Sequence, residues 1–140
     1  MEARILKPGD EAMLVEAARV VDEDEVPTPE RARQLLADPC FVAVVALDDG
    51  PAGLAYCHVL PQMTGTALLI YSVDTTPSRQ RRGCATAMIE ALKALCRERG
   101  YYEMWVPTNA GNAAAMGLYA ASGGVREDDD EAIFVFAMEG

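Results

Sequence analysis

Several kinds of segment are missing from this 140-residue sequence. No apolar run approaches the ~20 residues that a membrane-spanning helix needs, and the N-terminus has no signal-peptide pattern. Positive charge is scarce, because Lys and Arg total 12 against 22 Asp and Glu, which gives a net charge of −10. This balance argues against a broad basic face for nucleic-acid phosphates. We therefore expect a cytoplasmic protein whose partners include neither a membrane nor a nucleic acid.

Side chains for metal binding and nucleophilic catalysis are also few. His58 is the only histidine, so a zinc site built on several histidines is impossible, and a Ser-His-Asp triad would have to use His58. The four cysteines are widely spaced without a C-x-x-C pair, and we expect reduced, mostly buried thiols. The G-x-S-x-G and G-x-x-x-x-G-K-[ST] motifs are absent. The sequence thus predicts no metal site and offers no support for the common hydrolase or nucleotide-triphosphate readings.

The hydrophobic pattern predicts one α/β domain (mixed α+β) over residues 1–140. Hydrophobic residues make up 51% of the chain, which is enough for a core of its own. Helices are expected to start after the capping residues Asp10, Thr28 and Asn112, and a further amphipathic helix is expected to end at Gly100. Strands are expected at residues 2–7, 41–47, 52–60, 67–74, 101–106 and 133–138. This order predicts a mixed sheet with at least three consecutive antiparallel strands.

Large apolar side chains are expected to form the core, and the acidic runs are expected at the surface. The acidic run at residues 127–131 reads as a solvated turn between the last two strands. The core prediction covers Met63, Met88, Tyr101, Trp105, Met116, Phe134 and Phe136.

The most informative segment for chemistry lies between a buried strand and an amphipathic helix. A glycine there lets the backbone approach a ligand closely, and the N–H groups of the first helical turn form an anion cradle with the positive end of the helix dipole. Local positive charge in a strongly acidic chain supports a phosphate site over an ordinary loop. The predicted site comprises Gln80, Arg81, Arg82, Gly83, Cys84, Ala85 and Thr86.

The residues around this loop resemble a known family. Residues 68–75 (LLIYSVDT) followed by residues 80–85 (QRRGCA) are similar to the acetyl-CoA motif of the GNAT N-acetyltransferases. A second family segment matches residues 112–119 and the following pair Gly123-Gly124. The resemblance implies a central, mostly antiparallel mixed sheet of six to seven strands flanked by about four helices. It also implies acetyl-CoA as co-substrate, with no metal.

The resemblance also implies roles for individual residues. The amides of residues 80–86 would bind the pyrophosphate of acetyl-CoA. The exposed edge of the preceding strand, Val73, Asp74 and Thr75, would pair with the pantetheine arm, which Asn112 would also hold. Tyr119 would protonate the departing thiolate. It lies seven residues after Asn112, about two turns along the same helix face.

Within the family, the sequence is most similar to the type I aminoglycoside 3-N-acetyltransferases. This likeness rests on residues 35–46, on Ile70-Tyr71 and on residues 115–119. Ser72 stands where those enzymes carry an aspartate. The acidic pair before their last helix is replaced by Asn112 and Ala113.

The acceptor and the general base remain open at this stage. The acidic run that contains Asp22 and Asp24 follows the first helix, where it would line the acceptor groove, and Tyr71 and Ser72 would order a water or the substrate. Asp74 and His58 are further candidates for the base. We expect direct transfer of the acetyl group to a small cationic or aminoglycoside-like amine, with a homodimer as one option. The alternatives are acetylation of a protein lysine or N-terminus, and a non-catalytic acetyl-CoA-binding module.

Overall fold

A five-stranded sheet with helices on both faces organises the part of the chain that the structure, a computed structural model, describes (residues 1–138). The strands are β1 (Glu2–Ile5), β2 (Phe41–Leu47), β3 (Pro51–Gln62), β4 (Gly65–Thr75) and β5 (Glu103–Trp105). The α-helices are α1 (Glu11–Val21), α2 (Pro29–Ala37), α3 (Cys84–Arg99) and α4 (Ala113–Ala121), and a short 3₁₀ turn covers Pro77–Arg79.

The strands lie side by side in the order β1-β2-β3-β4-β5. The pairs from β1 to β4 are antiparallel, whereas β5 runs parallel to β4 because α3 connects the two strands as a crossover. Pairing between β4 and β5 is limited to residues 67–69 with residues 103–105. Residues 70–75 of β4 therefore have no strand neighbour on this side among residues 1–138. The predicted mixed sheet with consecutive antiparallel strands is confirmed.

The core has two parts, one on each face of the sheet. Alternate residues of β2 face opposite sides: Val44 packs in the cluster that includes α3, while Val45 packs in the cluster that includes α1 and α2. A strand covered on both faces needs apolar side chains at every position, which explains the unbroken FVAVVAL sequence of β2. Both faces of the central strands are thus closed by helices.

The predicted helix boundaries follow from capping chemistry. Thr28 caps α2 by accepting a hydrogen bond from the N–H of Arg31 at 3.1 Å, with Pro29 in the first turn. Gly100 ends α3 at φ +72°, a left-handed conformation that favours glycine. Asp10 precedes α1 but does not cap it, because its carboxylate accepts from the N–H of Lys7 instead. All four helices occur where the sequence places them.

The strand count differs from the prediction. The six to seven strands expected become five among residues 1–138, because residues 133–138 pair with no other strand. The predicted burial of Phe134 and Phe136 is therefore wrong, since both side chains are exposed. Met63 and Trp105 are exposed as well, the first at the tip of the β3–β4 hairpin and the second on the edge strand β5. Met88 is fully buried, as expected.

Candidate active site

An irregularity in β4 re-aims the side chains of the predicted acceptor region. Cys57 pairs with Ile70 and Tyr56 pairs with Ser72, so Tyr71 is an extra residue, a β-bulge. Its ring is exposed and stacks on that of Tyr56 with a centroid distance of 5.4 Å. The bulge therefore brings Tyr71 and Ser72, which a regular strand would point to opposite faces, into one region.

The loop between β4 and α3 presents backbone donors to open space. Gly83 precedes α3 at φ +85°, and no protein atom lies within 4 Å of the position that a Cβ would take there. The N–H groups of residues 82–86 donate to no acceptor among residues 1–138. Unpaired N–H groups at a helix N-terminus, with the helix dipole behind them, attract anions. The loop thus has the geometry of an anion cradle.

Two arginines of this loop interact with a carboxylate that lies outside the loop. Asp48, in the turn between β2 and β3, places its carboxylate 3.7 Å from Arg79 and 3.6 Å from Arg82. Cys84 points into the core, where burial raises the pKa of its thiol. Cys84 can therefore offer a ligand its backbone N–H but not its side chain.

The helix α4 and the residue before it provide the two predicted residues of the second family segment, Tyr119 and Asn112. Asn112 caps α4, its side-chain oxygen accepting from the N–H of Ala115 at 3.1 Å. Tyr119 is half-buried against the α3 side of the core. Burial raises the pKa of its hydroxyl, and the carboxylate of Asp74 raises it further. Tyr119 is therefore a protonated phenol near the end of β4 at neutral pH.

A groove of about 500 Å³ lies on the opposite side, between the α1–α2 connection and the sheet. Its floor is aromatic: Tyr56 lies 5.9 Å from Phe41 and 6.1 Å from His58, measured between ring centroids. Its rim carries two negative charges, from Asp24 and Glu25, and one positive charge, from Arg31. Such a groove suits a cation with some apolar surface.

A smaller pocket connects the groove to the end of β4. Asp22, Glu25, Tyr56, Ser72 and Asp74 line its polar part, and its volume of about 20 Å³ is enough for one water molecule. The hydroxyl of Ser72 donates to the carboxylate of Asp74 at 3.0 Å. Burial raises the pKa of the Tyr56 hydroxyl, with Glu25 as the next cause. Acidic groups from the α1–α2 connection thus approach the strand that also faces Tyr119.

The structure brings some of the predicted acceptor-site residues together. Ser72 and Asp74 line the small pocket together with Asp22, and Asp24 lines the groove. Tyr71 lines neither, but its ring stacks on that of Tyr56, which lines both. His58 lies two residues along β3 from Tyr56, among aromatic rings, 5.7 Å from that of Tyr71. The sequence analysis missed Glu25, Tyr56 and Asp48. Glu25 ends the acidic run just before Val26-Pro27, and this turn signal could have singled it out.

Two negative findings apply to the described residues. No cluster of three or more His, Cys, Asp or Glu side chains that could hold a metal ion occurs within residues 1–138. None of the helices there is both long and apolar enough to cross a membrane.

Comparison with known proteins decides the family. The sequence profile of the Acetyltransferase (GNAT) family matches residues 11–123, well over half of the chain. The chain belongs to the GNAT family. It is therefore an acetyltransferase, of a family that uses acetyl-CoA. No curated protein sequence gives a significant match.

Solved structures of three other proteins share the fold. An aminoglycoside acetyltransferase, meta-AAC0020 from an uncultured soil metagenomic sample, solved with sisomicin, superimposes with a TM-score of 0.85 at 21% identity, covering 99% of this chain and 96% of that one. A second metagenomic soil enzyme, the aminoglycoside acetyltransferase HMB0005, gives 0.82 at 27% identity over 99% and 97%. AAC(6')-Iy, solved with a bisubstrate analogue of CoA, gives 0.78 at 18% identity over 98% and 97%.

Proposed function

We propose that this GNAT protein transfers the acetyl group of acetyl-CoA directly to a primary amine of a small cationic, aminoglycoside-like acceptor. One observation carries the proposal: the end of β4 serves both halves of the reaction. Its unpaired edge at residues 70–75 leads into the anion cradle, and its side chains Ser72 and Asp74 line the acidic pocket. A donor on one side and an amine on the other would therefore meet at this strand.

The anion cradle fits the pyrophosphate of acetyl-CoA. The open space at Gly83 and the unpaired N–H groups beside it would accept phosphate oxygens, with Arg79, Arg81 and Arg82 supplying positive charge nearby. The backbone of residues 73–75 would pair with the amides of the pantetheine arm, as a strand neighbour does, because this edge has no protein partner. The amide nitrogen of Asn112 is available to the same arm, since only its oxygen caps α4.

Two side chains would carry out the proton transfers in this proposal. Acetyl-CoA supplies the acetyl group as a thioester. Tyr119 would donate its proton to the leaving sulfur, because burial and Asp74 raise the pKa of its hydroxyl and keep it protonated. A Lys-like amine, with a pKa of ~10.4, is neutral in only about one molecule in 2,500 at pH 7. Asp74, oriented by Ser72, would accept the amine proton through a water in the small pocket.

Direct transfer is supported by the state of the cysteines. A covalent acetyl-enzyme needs an accessible thiolate. Cys57, Cys84 and Cys96 are buried, and the exposed Cys40 lines neither the groove nor the small pocket. Burial raises the pKa of Cys57 to about 12 and also raises those of Cys84 and Cys96. These thiols are therefore poor nucleophiles at neutral pH.

The acceptor groove supports a small cation. Its volume of about 500 Å³ lies within the range of ~300–1,000 Å³ typical of small-molecule sites. Asp22, Asp24 and Glu25 would attract a polyamine, and the aromatic floor would contact its cationic groups. Ser72 in place of the aspartate seen in the resembled enzymes removes one carboxylate from this site.

A protein lysine or N-terminus is the second candidate acceptor. Tyr71 is 63% exposed at the mouth of the site, so a polypeptide can reach it from solvent. The presence of Tyr119, the side chain that would protonate the leaving thiolate, argues against a non-catalytic acetyl-CoA-binding module. The proposal also includes a single domain over residues 1–140, a cytoplasmic location and a homodimer. With a net charge of −10, the partners would include neither nucleic acid nor membrane.

A panel assay tests the function. Release of CoA is followed with aminoglycosides, simple polyamines, monoamines and lysine-containing peptides, and mass spectrometry identifies the acetylated product. The expected result is acetylation of a multiply charged small amine, lost in Tyr119→Phe. Activity on peptides alone would establish the second candidate, and acetyl-CoA binding without turnover on any amine would establish the binding module.

A further inference from the structure

Four aromatic rings form one surface beside the small pocket. This aromatic cluster, defined here as Phe41, Tyr56, His58 and Tyr71, comes from the neighbouring strands β2, β3 and β4. The centroids of neighbouring rings lie 5.4 to 6.1 Å apart. Tyr71 is 63% exposed, and the other three residues are partly exposed. Part of the cluster is thus open to a ligand from solvent.

The charges of the groove favour a cation beside these rings. Three members of the aromatic cluster line the groove together with Asp24, Glu25 and Arg31. Two carboxylates and one guanidinium leave the rim with a net negative charge. The faces of aromatic rings attract cations as well, because the ring quadrupole is negative there. The groove therefore favours a positively charged group over a neutral one.

The walls of the groove distinguish an alkylated ammonium group from an unsubstituted one. Apart from the charged and aromatic residues, all the side chains that line the groove are apolar, among them Leu14, Val26 and Leu35. An unsubstituted ammonium group has three donors, and burying a donor without an acceptor is costly. A trimethylammonium group carries the same charge without a donor, and its methyl groups are stabilised by contact with apolar walls and ring faces.

Tyr56 connects the aromatic cluster to the proposed place of acetyl transfer. It pairs with Ser72 across β3 and β4, and it lines both the groove and the small pocket. His58 lies two residues farther along β3, which is about 7 Å in an extended strand. One small molecule can therefore place a nitrogen at the small pocket and a second nitrogen on these rings.

We infer that the acceptor carries a second, alkylated ammonium group, which the aromatic cluster binds while the primary amine reacts at the small pocket. This assignment rests on the proposed function and specifies its acceptor class. In the transfer, the amide C–N bond forms at the primary amine and the thioester C–S bond breaks. The amine proton passes through a water to Asp74, and the leaving sulfur takes the proton of Tyr119. A quaternary nitrogen has no lone pair, so the second group serves binding alone.

Two matched acceptors test the role of the second charge. One is a primary amine joined by an alkyl chain to a trimethylammonium group, and in the other a neutral tert-butyl group of similar size replaces that cation. At the best chain length, kcat/KM should be about 5- to 30-fold higher for the cation, as expected on largely desolvated ring faces. Equal values at every chain length would overturn the inference while the proposed function stands. If no amine, cationic or neutral, is acetylated, the proposed function fails and the inference fails with it.

Variants of Tyr71 show whether the rings carry this preference. A nearby positive charge also lowers the pKa of the reacting amine, so the ratio of the two kcat/KM values is compared between protein variants with the same two acceptors. Tyr71→Leu should reduce the ratio by about 2- to 5-fold, whereas Tyr71→Phe, which keeps the ring, should retain it. Tyr102→Leu is the matched control, because Tyr102 is 57% exposed and lies outside the aromatic cluster. An unchanged ratio in Tyr71→Leu, or an equal loss in Tyr71→Phe or Tyr102→Leu, would overturn the inference.

Discussion

The anion cradle can be tested by placing the same substitution at both ends of α3. Gly83 precedes the helix at φ +85° and Gly100 follows it at φ +72°, and a Cβ at either position would meet no atom within 4 Å. The two sites are about 24 Å apart, because α3 has 16 residues with a rise of ~1.5 Å each. Gly83→Glu and Gly100→Glu therefore introduce matched backbone strain and matched charge, and only the first lies at the proposed phosphate site.

The two variants are expected to differ in stability as well as in the binding of acetyl-CoA. A non-glycine residue in the left-handed region costs roughly 1–2 kcal/mol. A glutamate gains ~0.3–1 kcal/mol at a helix N-terminus and loses a similar amount at a C-terminus. Gly83→Glu should therefore lower the stability by about 1 kcal/mol and Gly100→Glu by about 2 kcal/mol. The less destabilised variant is the one that should lose acetyl-CoA.

Thermal shift measures both effects in one experiment. At a concentration of acetyl-CoA 100 times Kd, binding stabilises the fold by ~2.7 kcal/mol, about 10 °C for a chain of this size. The wild type and Gly100→Glu should show this full increase. In Gly83→Glu the carboxylate would occupy the space of the pyrophosphate and repel it, which costs at least ~1–4 kcal/mol at a distance of ~4 Å. The increase should then fall by at least about a third, and it should nearly vanish at the upper end of this cost. An equal increase in both variants would refute the cradle.

The remaining predictions concern the proton donor, the acidic connection and the pH dependence of stability. Tyr119→Phe should lower kcat by ~10²–10⁴ with little change in Kd for acetyl-CoA, whereas Tyr102→Phe, an exposed control, should not; an unchanged kcat would leave Tyr119 with a packing role. Asp22→Asn with Asp24→Asn should raise KM for a polyamine, weaken its salt dependence and leave kcat and Tm nearly unchanged, and an equal rise in KM for a monoamine would contradict electrostatic capture. Burial raises the pKa of Cys57 from 9.0 to about 12, so the folded state holds this proton more tightly than the unfolded chain. The free energy of unfolding should therefore fall as the pH rises from 9 to 12, because the unfolded chain loses this proton first. The Tm of Cys57→Ala should decline less steeply over that interval than the Tm of the wild type.

Local signals in the sequence predict much of the fold and the cradle. Thr28 before Pro29 and Gly100 after the α3 stripe set helix ends through hydrogen bonds within a few residues, so the sequence alone reveals them. The glycine before α3 likewise marks a left-handed turn whose amides point outward. These features depend only on neighbours along the chain.

The features that escaped prediction depend on distant partners. The bulge at Tyr71 is one extra residue in a nearly unbroken apolar strand, where alternation offers no register to read. Asp48 reaches Arg79 and Arg82 across more than 30 residues of sequence. The pattern of residues 133–138 predicts a strand, and the structure has none there. A strand also requires an edge to pair with, and no pattern within the segment can specify which edge that is.

The two proposed proton-transfer groups are held in place in different ways. Asp74 and Ser72 lie on β4, which is paired with β3 along almost its whole length. Tyr119 lies on α4, which has no buried residue, but its own side chain is half-buried and packs against the core cluster that includes α3. α4 ends beside α3, where a Cβ at Gly123 would lie 3.7 Å from the amine of Lys93. A general acid must lie within ~2.6–3.2 Å of the atom that it protonates, so the packing of this one side chain would set the distance from the hydroxyl to the leaving sulfur. The acceptor side of the proposed site is thus fixed by strand pairing, and the donor side by side-chain packing.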